Sequence, residues 1–74
     1  MNNIASERVK SGLTQEGLAE RLGVVSRTIR DWEKDARSVP SSKACEMALM
    51  FGCSVDYLFG LSDDRNGVAV ARNE

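Results

Sequence analysis

The sequence predicts an all-α fold, a single small domain of five short helices. Three observations carry this. Apolar residues recur three and four apart, the spacing of one helical face, in Leu18/Leu22, Ile29/Trp32 and Ala44/Met47/Ala48/Phe51. Glycines stand where those runs should stop, at Gly23, Gly52 and Gly60. Residues whose side chains satisfy free first-turn amides, Thr14 and Ser54, stand where two of the runs begin. At 74 residues the chain has room for one domain. Such a domain buries only about 60% of its unfolded surface and should be modestly stable.

Ile4 to Lys10 forms the first helix, with Ile4 and Arg8 on one face and Asn2 or Asn3 as its cap. Thr14 caps the second, whose free amides and dipole make its start an anion site. Gly17 inside that helix costs about 1 kcal/mol relative to alanine. Gly23 then turns the chain through positive φ, and the small Ala19 lets the next helix approach closely. That third helix runs from about Ser26 to Lys34. At about 100° per residue, Ser26, Arg27, Arg30, Asp31 and Lys34 share an arc of roughly 140°. Val25, Ile29 and Trp32 lie opposite, with Thr28 at the border. Lys34 to Val39 is a loop, and Pro40 marks the start of the fourth helix. Ser54 caps the fifth, in which Leu58 points inward, Tyr57 or Phe59 closes the base of the core, and Gly60 ends the run. Leu49, Met50 and Val55 lie off the apolar stripe and are expected to be exposed near one another. The expected domain spans residues 1–61. Residues 62–74 are expected to form a polar, flexible tail, with Val68-Ala69-Val70 a candidate pairing strand.

Helix, sharp glycine turn, helix is the geometry of a DNA-binding helix-turn-helix. The run GLTQEGLAERLGVVSRTIRDWEK resembles the phage-repressor (Cro/CI-like, or XRE) family. That family shows G-L-T-Q-x-x-L-A-x-x-L-G-V, followed by an Ile and a Trp-Glu pair. Here the matching residues are Gly12, Leu13, Thr14, Gln15, Leu18, Ala19, Leu22, Gly23, Val24, Ile29, Trp32 and Glu33. Ser54-Val55-Asp56-Tyr57-Leu58 matches its closing helix, so the likeness covers about Ile4 to Gly60.

The resemblance implies a compact lambda-repressor-like domain. It implies that Arg8 and Glu33 form a structural ion pair tying the first helix to the third. It sets Thr14 and Gln15 against a DNA phosphate, with Gln15 also within reach of a base edge. Gln15, Ser26, Arg27 and Asp31 become base-facing positions, Arg30 a further reader, and Lys34, Arg37 and Ser38 phosphate contacts. The chemistry fits. Arginine donates paired hydrogen bonds to guanine O6 and N7 or neutralises phosphate, and Asp31 can accept from cytosine N4 or merely repel the backbone. Taken alone the third helix would be a solvated amphipathic helix; the surrounding pattern turns its polar face into a recognition surface. Three positions depart from the family. Glu7 replaces a bulky apolar residue, which predicts a weakly anchored first helix. Val25 replaces the usual Ser or Thr cap, which predicts capping by Ser26. Asp35 replaces a common glycine, and Asp tolerates a left-handed backbone better than most residues.

Charge argues the other way. The net is −1 and the sequence pI about 5.4, without the basic excess of a typical nucleic-acid binder. Residues 1–43 carry eight Lys/Arg and six Asp/Glu, a net of +2, against two and five, a net of −3, in residues 44–74. Non-specific DNA affinity should therefore be modest. Cys45 and Cys53 lack metal or redox spacing, histidine is absent, and both thiols are expected to be small, mostly buried packing residues kept reduced. No nucleophile elbow, phosphate loop or metal cluster suggests an enzyme, and neither a cofactor nor a small-molecule ligand is expected. No membrane span or signal peptide is expected, which points to a cytoplasmic protein, and the resemblance points to a bacterial or phage origin. The expected partners are double-stranded DNA and a second copy of the chain, with Leu49, Met50 and Val55 as the dimer contact. The expected function is a sequence-specific regulator, a dimeric repressor acting on a palindromic operator. The alternatives are an antitoxin-like protein-interaction module whose DNA binding is secondary, or a helical domain without DNA affinity.

Overall fold

A computed structural model describes residues 1–66, and the candidate strand Val68-Ala69-Val70 lies outside them. The helices among the described residues are α1 (Ile4–Lys10), α2 (Gln15–Leu22), α3 (Ser26–Lys34), α4 (Ser41–Phe51) and α5 (Val55–Leu58), with a 3-10 turn at Ala36–Ser38. The described residues contain no strand, and no helix among them is long and apolar enough to cross a membrane.

Local chemistry accounts for most of the boundaries. The Thr14 hydroxyl accepts from the Gly17 N–H at 2.9 Å, and the Ser54 hydroxyl from the Tyr57 N–H at 3.0 Å. A Cβ at position 17 would sit 3.3 Å from the Thr14 hydroxyl oxygen. The capped first turn is therefore tight, which gives Gly17 a local reason. Gly23 adopts φ 71°, and the next amide, of Val24, donates back to the Ala19 carbonyl at 3.0 Å. Pro40 stands one residue before α4 rather than inside it. The α3 cap differs from expectation. Val25 occupies it with extended backbone and no side-chain hydrogen bond, and Ser26 is already helical. Val25 also leaves the apolar side assigned to it and is 68% exposed, because a residue with extended backbone does not follow the helical projection.

Ile4, Leu18, Leu22, Ile29, Trp32, Met47, Phe51 and Leu58 are all buried and form one core drawn from all five helices. Full burial of such a side chain contributes about 1.5–3 kcal/mol. Of the three off-stripe residues only Leu49 is exposed. Met50 and Val55 are half-buried and packed against the core, so the expected apolar patch is smaller than foreseen. Cys45 is exposed rather than buried and Cys53 half-buried, both as free thiols.

The first helix is better anchored than Glu7 suggested. Asn3 donates its side-chain amide to the Tyr57 carbonyl at 2.7 Å and its N–H to the Leu58 carbonyl at 2.9 Å. Glu7 is 1% exposed. Its carboxylate accepts from Arg65 Nη2 at 2.8 Å and Nε at 3.0 Å, and Lys10 Nζ stands 3.2 Å away. Arg65 also donates to the Phe51 carbonyl at 2.7 Å and the Gly52 carbonyl at 3.2 Å, while its own carbonyl accepts from the Ser54 N–H. One guanidinium thus compensates a buried carboxylate and the carbonyl end of α4. Part of the expected tail, up to Arg65, is docked on the domain.

The hydrogen bond from Arg65 holds the Glu7 carboxyl below its ordinary value of 4.5, against burial, which raises it. A lowered folded pKa gives stability that is fully present above that ordinary value and lost as pH falls through the folded one. Arg65→Ala should cost about 2 kcal/mol at neutral pH by removing the chief partner of buried Glu7 and leaving it only Lys10. Urea denaturation at neutral pH and below pH ~4 should show the Arg65→Ala deficit shrinking on acidification.

Candidate nucleic-acid interface

Glu33, on the last turn of α3, joins three helices. Its Oε2 accepts from Arg8 Nε of α1 at 2.6 Å, and its Oε1 from Gln15 Nε2 at the start of α2 at 3.0 Å. Arg8 donates a further bond to the Leu13 carbonyl at 2.9 Å. The Arg8 and Glu33 side chains are only 15% and 11% exposed, so this is a mostly desolvated clamp. Gln15 is correspondingly half-buried, with its amide nitrogen engaged by the protein; its oxygen stays without a protein donor among the described residues. Gln15 is thus anchored through one amide hydrogen to Glu33.

A second lock went unforeseen. Asn2 donates its side-chain amide to the Trp32 carbonyl at 3.0 Å and the Glu33 carbonyl at 3.3 Å, satisfying carbonyls at the end of α3. Its oxygen accepts from the Ile4 N–H at 3.0 Å. An asparagine near a helix start signals a cap, but its second partner lies 30 residues on, beyond any local pattern.

The outward face of α3 is left to solvent. Arg27, Arg30, Asp31 and Lys34 are exposed, and Ser26 and Thr28 half-buried. Among the described residues, Arg27, Arg30 and Lys34 make no ion pair, and neither does Asp31. Three unpaired cations and one carboxylate therefore stand on a helix whose opposite face, Ile29 and Trp32, is buried. Thr14 is exposed beside Gln15; its hydroxyl oxygen accepts as the cap, which leaves its O–H to donate.

The loop after α3 is differently arranged. Arg37 folds back on Asp35, with Nη2 2.8 Å from Oδ2, and the Asp35 carboxylate also accepts from the Arg37 N–H at 3.0 Å. The Arg37 side-chain bond, then its amide, push the Asp35 carboxyl down to about 2. Asp35 has φ −151°, extended rather than left-handed, because it caps the 3-10 turn. The pair is solvent-exposed, so it adds little stability and a phosphate can displace the carboxylate. Ser38 donates its hydroxyl to the Asp35 carbonyl at 3.3 Å. Sequence reasoning thus brought Arg8 together with Glu33 and grouped the α3 face; Gln15 and Arg37 turn to partners inside the chain.

Residues 4–58 match the model of the helix-turn-helix family. The chain belongs to that family of DNA-binding domains, in its XRE-type, Cro/CI-like branch. It is similar to a protein of Bacillus subtilis (strain 168) named as an uncharacterised HTH-type transcriptional regulator, YobD, with 36% identity over 52 residues. The match covers 70% of this chain and 46% of the relative, so the chain spans about half the length of the curated relative it matches. No solved structure gives a significant match.

Removing the clamp should be costly. Glu33→Ala should lower stability by about 3 kcal/mol by leaving Arg8 desolvated and unpaired. The double variant Arg8→Met, Glu33→Leu should recover most of that loss in urea denaturation, because an apolar pair of similar volume carries no desolvation penalty.

Proposed function

We propose that this chain is the operator-reading domain of a transcription regulator, a repressor that binds as a two-fold pair on a palindromic site. The observation that carries the reading is the exposed face of α3. Arg27, Arg30 and Lys34 project from it without an ion-pair partner among the described residues, while Glu33, Arg8 and Asn2 hold the helix behind it. Cations left unpaired on a helix so firmly mounted serve an external anion. Membership of a DNA-binding family supports double-stranded DNA as that anion, and the name of the B. subtilis relative supports a regulatory role.

In this reading α3 enters the major groove. Arg27 and Arg30 donate to guanine O6 and N7, and Asp31 accepts from cytosine N4 while disfavouring bases that offer only acceptors there. Ser26 lies at the groove-facing end as a shorter polar contact. Lys34, Thr14, Ser38 and Arg37, once released from Asp35, contact phosphates and set the register. Gln15 orients Glu33 with one amide hydrogen, and its second N–H and its oxygen are the parts left for DNA. A two-fold pair places two α3 helices about 34 Å apart in successive grooves. Leu49 is the exposed apolar centre of the proposed pair contact, flanked by half-buried Met50 and Val55. Bound there, the pair excludes polymerase sterically, in the compartment that holds the DNA.

Selection of bound duplexes from a random library at moderate salt should enrich a pair of related half-sites. Arg27→Ala should relax one base position and cost about 1–3 kcal/mol, whereas Lys34→Ala should weaken all sequences evenly and reduce the salt slope by about 1. Salt-sensitive binding without enrichment would refute the reading. Sedimentation showing a single copy on a duplex with two half-sites would refute the pair.

A further inference from the structure

We infer that Val25 is a specificity-determining residue that reads the C5-methyl group of a thymine, at the end of α3 that enters the groove. The inference deepens the DNA-reading proposal above and rests on it.

Val25 sits at the cap of α3 with φ −89° and ψ 157°, and its side chain satisfies none of the free amides of the first turn. Ser, Thr, Asp or Asn at a cap stabilises a helix, so valine there is a disfavoured choice. Nor does it pack. Val25 is 68% exposed, whereas the adjacent Val24 is half-buried against the core. Among the described residues the other large exposed apolar side chains, Met1, Val9, Leu49 and Leu61, lie outside α3 and its cap. Val25 adjoins the N-terminal end of the exposed polar face, immediately before Ser26 and Arg27, whereas Met1 lies by Lys34 at the opposite end of α3.

Folding therefore gives no reason for this side chain; a groove does. The N-terminal residues of a recognition helix meet base edges, and the one apolar feature on those edges is the thymine methyl. A branched side chain with its backbone held extended loses little rotamer freedom on contact, since its χ1 is already restricted. Hydroxyl and guanidinium groups on the same end offer hydrogen bonds, and Val25 adds an apolar contact that they cannot. Thymine is thereby separated from cytosine, which has no methyl at that edge.

The test replaces thymine by deoxyuridine, one position at a time, in the selected duplex. Removing a single methyl should weaken binding by the wild-type chain about fourfold at one position per half-site, the effect of withdrawing one methyl-sized group from burial. Val25→Ser should bind the thymine and uracil duplexes equally, while its melting temperature stays level or rises because serine restores the cap. Val25→Ile should keep the methyl preference. If wild type and Val25→Ser respond alike to uracil at every position, while still selecting a sequence, the methyl assignment is overturned and the DNA-reading proposal stands. If no sequence is selected at all, both fall.

Discussion

The carboxylate of Glu33 is the interaction on which the rest depends. It sits at the end of the helix that carries the exposed cations, and its two oxygens are taken by Arg8 from α1 and Gln15 from α2. Without it, α3 would be held only by Ile29 and Trp32 in the core, with Asn2 at its carbonyl end. Apolar burial fixes how deep a helix sits but constrains its rotation and slide weakly, because it is non-directional. Charge-assisted hydrogen bonds have preferred directions and lengths. Glu33 therefore converts a buried helix into an oriented one, which recognition of a groove requires.

The charge distribution follows the same logic. Net charge sums groups that do different work. Arg8 and Arg65 are committed to carboxylates inside the fold, Lys10 assists Glu7, and Arg37 is turned onto Asp35. Arg27, Arg30 and Lys34 pair with no carboxylate among the described residues, and they share one helix face. A total of −1 thus coexists with a locally basic surface. Screening over about 10 Å at ordinary salt makes the local surface, rather than the total, what a nearby phosphate experiences.

Glu7 and Arg65 show how a small domain extends its core. The side chain of Glu7 stands where an apolar one would bury more simply, and a buried carboxylate is costly unless paired. Arg65 supplies the pair and, with the same group, satisfies two carbonyls at the end of α4. The chain beyond α5 is thereby drawn onto α1. At this size, where burial per residue is low, such a clasp matters more than it would in a larger protein.

The five helices, their order, the glycine turn at Gly23 and the grouping of Arg27, Arg30, Asp31 and Lys34 on one face were all legible in the sequence. Each is set by local rules: the 3.6-residue period, capping hydroxyls and the positive φ that glycine accepts. The Arg8–Glu33 pair was legible through likeness to a family, since nothing local links positions 25 residues apart. What escaped the sequence was the choice of partner wherever several polar groups compete. Gln15 turned to Glu33, Asn2 to the end of α3, and Arg65 to Glu7, because in three dimensions each lies beside an unsatisfied group far away in the chain. Val25 left the apolar side because a cap residue has extended backbone that the helical projection does not describe. Periodicity and capping thus determined which helices form and which face they bury. Only the tertiary structure decided which polar groups lock those helices together and which remain free to meet another molecule, because hydrogen-bond satisfaction of a buried group depends on what packing brings within 3 Å or so.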